Sequence, residues 1–258
     1  IDKERGVVLE EKRLGKGAQQ RMQDKYLPML FNNSRYSDRL PIGTEEVLKN
    51  FSAETIRQFY KDWYRPDLQA LIVVGDIDVD AMEQTIKAKF SDLKNPAKPR
   101  QRTKYSISLL NKNQFIAVTD KEFPVSVAQI MIKHPESKLI STTDYRNSIL
   151  RSLFNSMLGT RFADMSKQAD PPFLQAGASI SGFLAGLDMY NVFVVAKPGE
   201  MERGFKAALT ETERVQRFGF TQTELDRAKQ SYLTNMESAY KEKDKTPSES
   251  LVNEYLRH

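Results

Sequence analysis

Leu174-Gln175-Ala176-Gly177-Ala178-Ser179-Ile180-Ser181 and Met189-Tyr190-Asn191-Val192-Phe193-Val194-Val195-Ala196 are two short runs, the first of small residues, the second rich in β-branched and aromatic ones. They read as consecutive strands. A long helical pattern from about Thr143 to Met165 precedes them, and helical patterns over 200–217 and 222–242 follow. Two further strands are predicted near 114–119 and 126–133, and Pro247 sets off a last amphipathic segment, Glu249 to Leu256. Strands in hairpin order with helices in separate blocks make an α+β layered fold, not a doubly wound parallel sheet.

Working towards the N-terminus, residues 94–104 hold Lys94, Pro96, Lys98, Pro99, Arg100, Arg102 and Lys104 with no acidic residue, and read as a linker. Before it, Leu68 to Val74 is a nearly continuous apolar run ending at Gly75-Asp76, the pattern of a buried strand. A helix starting at Asp78 or Asp80 places Met82, Ile86 and Phe90 on one face. Ser52 caps a helix that runs to Trp63 and stops at Arg65-Pro66, and a shorter helix starts from Thr44. The first helical pattern covers Asp2 to about Lys25, weakened at Gly15 and Gly17, with Pro28 as its expected end. Glu224-Leu225-Asp226-Arg227 opens a helix much as Asp2-Lys3-Glu4-Arg5 does, with Leu233 falling where Glu11 stands in the first. That match is a weak hint of a repeat.

The 258 residues are 40% apolar, enough for one large domain or two of ordinary size. With no cysteine, disulfides, thiolate metal sites and cysteine nucleophiles are excluded. The net charge of +5 arises from 39 basic and 34 acidic residues that are interspersed, so nucleic-acid binding is not expected. No apolar run reaches the ~18–20 residues of a membrane span.

Glu4 and Glu11 hold the most chemical interest. At ~100° per residue Glu11 lies about 20° from Glu4, and Val7, Val8, Leu14, Ala18 and Met22 fall within about 80° of it. A carboxylate buried in such a stripe needs an ion pair, hydrogen bonds or a metal. The pair therefore reads either as structural ion pairing, for instance with Arg21, or as part of a functional site. Seven residues rise ~10.5 Å, too far for both to bind one ion directly. Of the two histidines, His134 sits at a strand end and reads as structural, and His258 is the last residue.

Glu4-Arg5-Gly6-Val7-Val8-Leu9-Glu10-Glu11 resembles the E-R-x-x-V-x-x-E helix of the pitrilysin/insulinase (inverzincin) zinc metallopeptidases, especially large bacterial two-repeat members. The likeness extends through Arg35-Tyr36-Ser37-Asp38-Arg39-Leu40-Pro41-Ile42-Gly43-Thr44 and through Tyr60 to Leu68 with Val73-Val74-Gly75-Asp76. Leu158-Gly159-Thr160-Arg161-Phe162 resembles the family in the second portion.

The resemblance implies an α+β, LuxS/insulinase-like metalloenzyme fold of two repeated α/β-layer domains with largely antiparallel sheets, the first truncated on its N-terminal side. Residues 1–95 would be the C-terminal part of the first peptidase domain, 96–104 the linker, and 105–258 a second, non-catalytic domain. In the family an H-x-x-E-H helix supplies two histidine ligands and the glutamate base. Neither histidine here has that spacing, so no catalytic residue is assigned in this chain. The resemblance makes Glu11 the Zn2+ ligand and Glu4 the acid that orients a ligating histidine. Arg35, Tyr36 and Arg39 would face the substrate chamber or else tie down their own loop. The implied partners are a peptide or unfolded protein substrate and the remainder of the polypeptide. Alone, the chain is expected to be zinc-free and inactive, because one carboxylate does not hold zinc. The resemblance favours the bacterial periplasm over the cytoplasm. A non-catalytic structural or interaction member of the family is the alternative. Phe173 and the Ala176 to Ser179 run are read as core packing or as an edge for an added peptide strand.

Overall fold

The structure is a computed structural model that describes residues 1–256; His258 lies outside the described residues. The helices and strands in chain order are α1 (Asp2–Leu14), α2 (Ala18–Leu30), α3 (Glu45–Asn50), α4 (Ala53–Trp63), α5 (Val79–Phe90), β1 (Ser126–Pro135), α6 (Thr142–Ser166), β2 (Gln175–Gly182), β3 (Leu187–Ala196), α7 (Met201–Phe218), α8 (Gln222–Lys241) and α9 (Ser248–Tyr255). The chain folds into two compact units, one of residues 1–12, 42–104 and 237 onwards, the other of 13–41 and 105–236. Residues 13–41 thus group with 105–236, and the C-terminal segment with 1–12 and 42–104.

The second unit is an α+β layer pair. Its antiparallel sheet has the order β1-β3-β2, with Ser126 opposite Ala196 and Gln175 opposite Val195. Alternation along β3 turns Val192, Val194 and Ala196 to one face, where Ala178 of β2, Leu158 and Phe162 of α6, Phe173 and Ala208 of α7 complete the core. Phe162, Leu158 and Val194 are the largest fully buried side chains, each worth roughly 1.5–3 kcal/mol of burial. With Phe173 and Ala178 buried there, the small-residue strand serves packing. Gly204 lets α7 approach closely, since a Cβ on it would stand 2.9 Å from the Pro172 carbonyl oxygen.

α6 starts at a capping box in which the Ser141 hydroxyl accepts the Asp144 N–H and Asp144 accepts the Ser141 N–H. Those hydrogen bonds hold the Asp144 carboxyl below its ordinary pKa. On the other face of the sheet, Lys133 of β1 donates to the carbonyl of Leu30, at the C-terminal end of α2, at 2.6 Å. Burial lowers the Lys133 pKa, and the partial negative charge at the helix end makes a cation acceptable there.

The N-terminal pattern is two helices, not one running to Lys25. Gly15-Lys16-Gly17 breaks it, and α2 continues to Leu30 with Pro28 inside its last turns. The Asn33 N–H takes the Pro28 carbonyl and so closes the helix end. The predicted strands at 68–74 and 114–119 are also corrected: both lie outside any sheet among the described residues. Their apolar composition is that of strands, but no neighbouring strand supplies the ladder.

Candidate functional site

α1 is held by one face. The Arg5 guanidinium donates to the Leu48 and Phe51 carbonyls and stacks 4.1 Å from the Phe51 ring. Lys12 donates to the Gly43 carbonyl at 2.6 Å. Both long cations thus anchor the helix to the segment around α3. The flank beside that face carries Glu4, Val7, Glu11 and Leu14, and all four are exposed, Val7 by 59% and Leu14 by 72%.

Within α1 the expected buried stripe is therefore open except at Val8, which is half-buried. It is also shorter than expected, because the break at 15–17 removes Ala18 and Met22 from the helix that carries Glu4 and Glu11. Among the described residues neither glutamate has a hydrogen-bond or ion-pair partner. Arg21, the proposed structural partner, instead clasps Asp120 through two nitrogens, each at 2.7 Å, and reaches Glu122. That guanidinium holds the Asp120 carboxyl down at about 2.

The donor set bears directly on metal binding. Among the described residues no three histidine, aspartate or glutamate side chains converge on a position for a metal ion. Glu11 is thus a single carboxylate, and the residues present do not by themselves fit a zinc site. His134 lies at the end of β1 opposite Asp188, its Nδ1 3.1 Å from the Pro135 carbonyl oxygen.

The loop with Arg35, Tyr36 and Arg39 is fastened to Tyr105. The Arg35 guanidinium sits 4.9 Å from the Tyr105 ring centre, and the Tyr36 hydroxyl donates to the Tyr105 carbonyl at 3.2 Å. These are aromatic and main-chain contacts. Arg39 is exposed.

Sequence reasoning did not find the strongest polar cluster of the second unit. Arg161 on α6 contacts Glu224 through Nε and Nη2, Glu211 through Nη1, and the Gly219 carbonyl, with the Phe220 ring 4.9 Å away. Glu224 also accepts the Thr221 N–H at 2.7 Å. The legible signal was Thr221-Gln222-Thr223-Glu224, a capping pattern that fixes Glu224 at the start of α8. An open groove of about 460 Å³ adjoins the cluster, with Met165, Pro172 and Ala207 in its lining. Two of its cations are already paired, Arg203 with Asp170 and Arg214 with Glu211. It therefore offers no strong anion field.

A helical layer on an antiparallel sheet is the α+β architecture of insulinase-like folds. The chain belongs to the M16 peptidase family, residues 50–232 matching the description "Peptidase M16 inactive domain". It is 30% identical to a zinc protease PQQL-like protein of Arabidopsis thaliana, over 100% of this chain and 24% of that protein. It is also 30% identical to the probable zinc protease PqqL of Escherichia coli K12, over 93% of this chain and 26% of that one. The crystal structure of the periplasmic protease PqqL from Escherichia coli superposes with a TM-score of 0.88 at 24% identity, covering 99% of this chain and 28% of that chain. The chain thus spans about a quarter of the length of these curated relatives, 24% and 26%.

Proposed function

We propose that this chain is part of a zinc-dependent endopeptidase acting on peptides or unfolded proteins, with Glu11 as one of its metal ligands. The observation that supports this reading is the presentation of Glu11. It is exposed, without a partner among the described residues, and shares its side of the helix with Val7 and Leu14, while Arg5 and Lys12 fix the adjoining side. Zinc protease names among the relatives point the same way. In this reading Glu4 hydrogen-bonds a ligating histidine and fixes its ring, and the two histidines and the glutamate base belong to an H-x-x-E-H helix outside these residues. When bound, zinc would supply an activated water.

Residues 1–95 then belong to the catalytic half, 96–104 to the linker, and 105–258 to a non-catalytic half, with Arg35, Tyr36 and Arg39 along the substrate chamber. The periplasmic location stated for PqqL supports the same compartment for this protein. One observation favours the alternative of a non-catalytic family member: the matching description over 50–232 is that of an inactive domain. Glu11 lies outside that match, so the two readings part at α1.

The test is a polypeptide extended to include the H-x-x-E-H helix. It is expected to hold one zinc per chain and cleave an unfolded substrate, and Glu11→Gln to lose most of both. An extended chain with no zinc, or a Glu11→Gln variant with zinc and cleavage unchanged, overturns the reading.

A further inference from the structure

α2 belongs to the second unit and is fastened there by its two ends. At the first end Arg21 forks onto Asp120 through Nε and Nη2, each at 2.7 Å, and Nη2 reaches Glu122 at 2.7 Å. The same guanidinium donates to the Lys16 carbonyl in the turn before the helix, and Lys25, one turn further on, adds its charge to the field at Asp120. Asp120 is itself oriented by the Glu122 N–H at 3.0 Å. At the other end Lys133 donates to the Leu30 carbonyl and to Asn32 Oδ1, which also accepts Gln114, while Asn32 Nδ2 donates to the Ser108 carbonyl. Asp120 and Glu122 stand just before β1 and Lys133 near its end, so α2 is anchored at both ends of that strand.

Between the anchors the hold is slight. α2 has no buried residue, and none of its side chains joins either apolar core of the unit. Lys133 lies on the sheet face turned away from the core. There Met189, Asn191, Phe193 and Val195 of β3 are half-buried, whereas Val192, Val194 and Ala196 on the core face are buried.

The two anchors also differ in kind. The first joins opposite full charges near the surface, with Arg21 41% and Glu122 73% exposed, and salt screens such a pair. The second sets a partly buried cation on neutral oxygens, which replace its lost hydration only in part. Outside the anchors the chain is pliant. A turn at 15–17 precedes the helix, and Asn32 and Asn33 follow it in left-handed backbone, with φ of 53° and 50°.

We propose that α2 is a strap that swings off the sheet as one body between these two joints, with the contact of Arg21 to Asp120 and Glu122 as its catch. The strap is independent of the zinc reading, since no residue of α1 takes part in it. Arg35 and Tyr36 follow the second joint directly, so release of the strap is passed on to the loop that they fasten to Tyr105. A 13-residue helix is marginal alone in water, so a released α2 unravels and its amides exchange.

Amide hydrogen exchange of the 258-residue chain tests the strap. In wild type the amides of 21–27 are expected to share one protection factor, at least about tenfold lower than that of 153–162 in α6. Arg21→Gln is expected to lower the protection of α2 about tenfold and to leave α6 unchanged. Asp120→Asn should act in the same direction, and the double variant should go no further than Arg21→Gln alone, because both changes release one catch. Raising salt to about 0.5 M should lower the protection of α2 about threefold in wild type and not in Arg21→Gln. Protection of α2 equal to that of α6, falling with it in both variants, overturns the proposal, because the helix would then belong to the cooperative core. Exchange of α2 at free-peptide rates in wild type overturns it as well, since no closed state would exist. Unchanged protection in Arg21→Gln removes the catch and the proposal with it.

Discussion

Asn155 on α6 closes a rung of the sheet with its side chain, donating through Nδ2 to the Ile180 carbonyl at 2.8 Å and accepting the Ile180 N–H through Oδ1 at 2.9 Å. Ile180 lies on β2, an outer strand, and on that strand its backbone groups face away from β3. An amide side chain thus stands where a neighbouring strand's peptide group would stand, tying helix to sheet and blunting the edge. Asn155→Ala is expected to cost about 1–3 kcal/mol, because it strands a donor and an acceptor in a partly buried place. Denaturant midpoints check it. Asn155→Asp keeps the acceptor only and should fall between wild type and alanine at neutral pH; an alanine variant as stable as wild type would show that water replaces the amide freely.

The pair of Arg161 and Glu224 sets an acid limit on the second unit. The guanidinium, above all, holds the Glu224 carboxyl down at about 2, with further help from Thr221. A carboxyl whose pKa is lowered on folding binds its proton more readily in the unfolded chain. The stability it contributes is complete above the ordinary glutamate value of about 4.5 and is lost as pH falls towards 2. Wild type should therefore lose stability relative to Glu224→Gln across this window, and the gap between them should close near pH 2. Thermal melts of both proteins from pH 6 to pH 2 give the comparison, and a gap that stays constant with pH would refute the assignment.

Gly204 marks the closest approach of α7 to the chain before β2. A methyl group there would stand 2.9 Å from a backbone oxygen of Pro172 and 3.1 Å from Val194, itself fully buried. Neither neighbour can step aside as a flexible surface chain would. Gly204→Ala gains helix propensity of about 1 kcal/mol, but overpacking costs roughly 1–3 kcal/mol. The net expectation is a lower unfolding midpoint, and an increase would mean that α7 shifts at little cost.

How far the sequence could be read depends on where each element finds its partners. β2, β3 and α6 to α8 were legible because Val192, Val194, Leu158 and Phe162 meet one another within the same unit. The run at 68–74 has the same kind of pattern, but a strand is defined by its neighbour, and no strand among the described residues pairs with it. The glutamates of α1 were legible as an oddity, since apolar and acidic residues share its face. Which way that face points was not, because it depends on Arg5 and Lys12 finding the Phe51 and Gly43 carbonyls far along the chain. Arg161 could be quoted from sequence but its partners could not, since Glu211 and Glu224 stand on two other helices.

Exposure of Glu11 makes its substitution informative in the 258-residue chain itself. A carboxylate with no partner among the described residues contributes little to folding, so Glu11→Gln is expected to shift stability by no more than about 0.5 kcal/mol. The same chain is expected to retain less than about 0.1 zinc per molecule after dialysis, since a lone carboxylate cannot compete with water for the ion. Metal analysis and chemical denaturation of wild type and variant measure both. A loss above about 1 kcal/mol would place Glu11 in a structural contact within this chain. Stoichiometric zinc that disappears in the variant would mean that these residues assemble a complete site. Silence in both measurements here, together with loss of zinc in the extended polypeptide, distinguishes a ligand awaiting its partners from an ordinary surface glutamate.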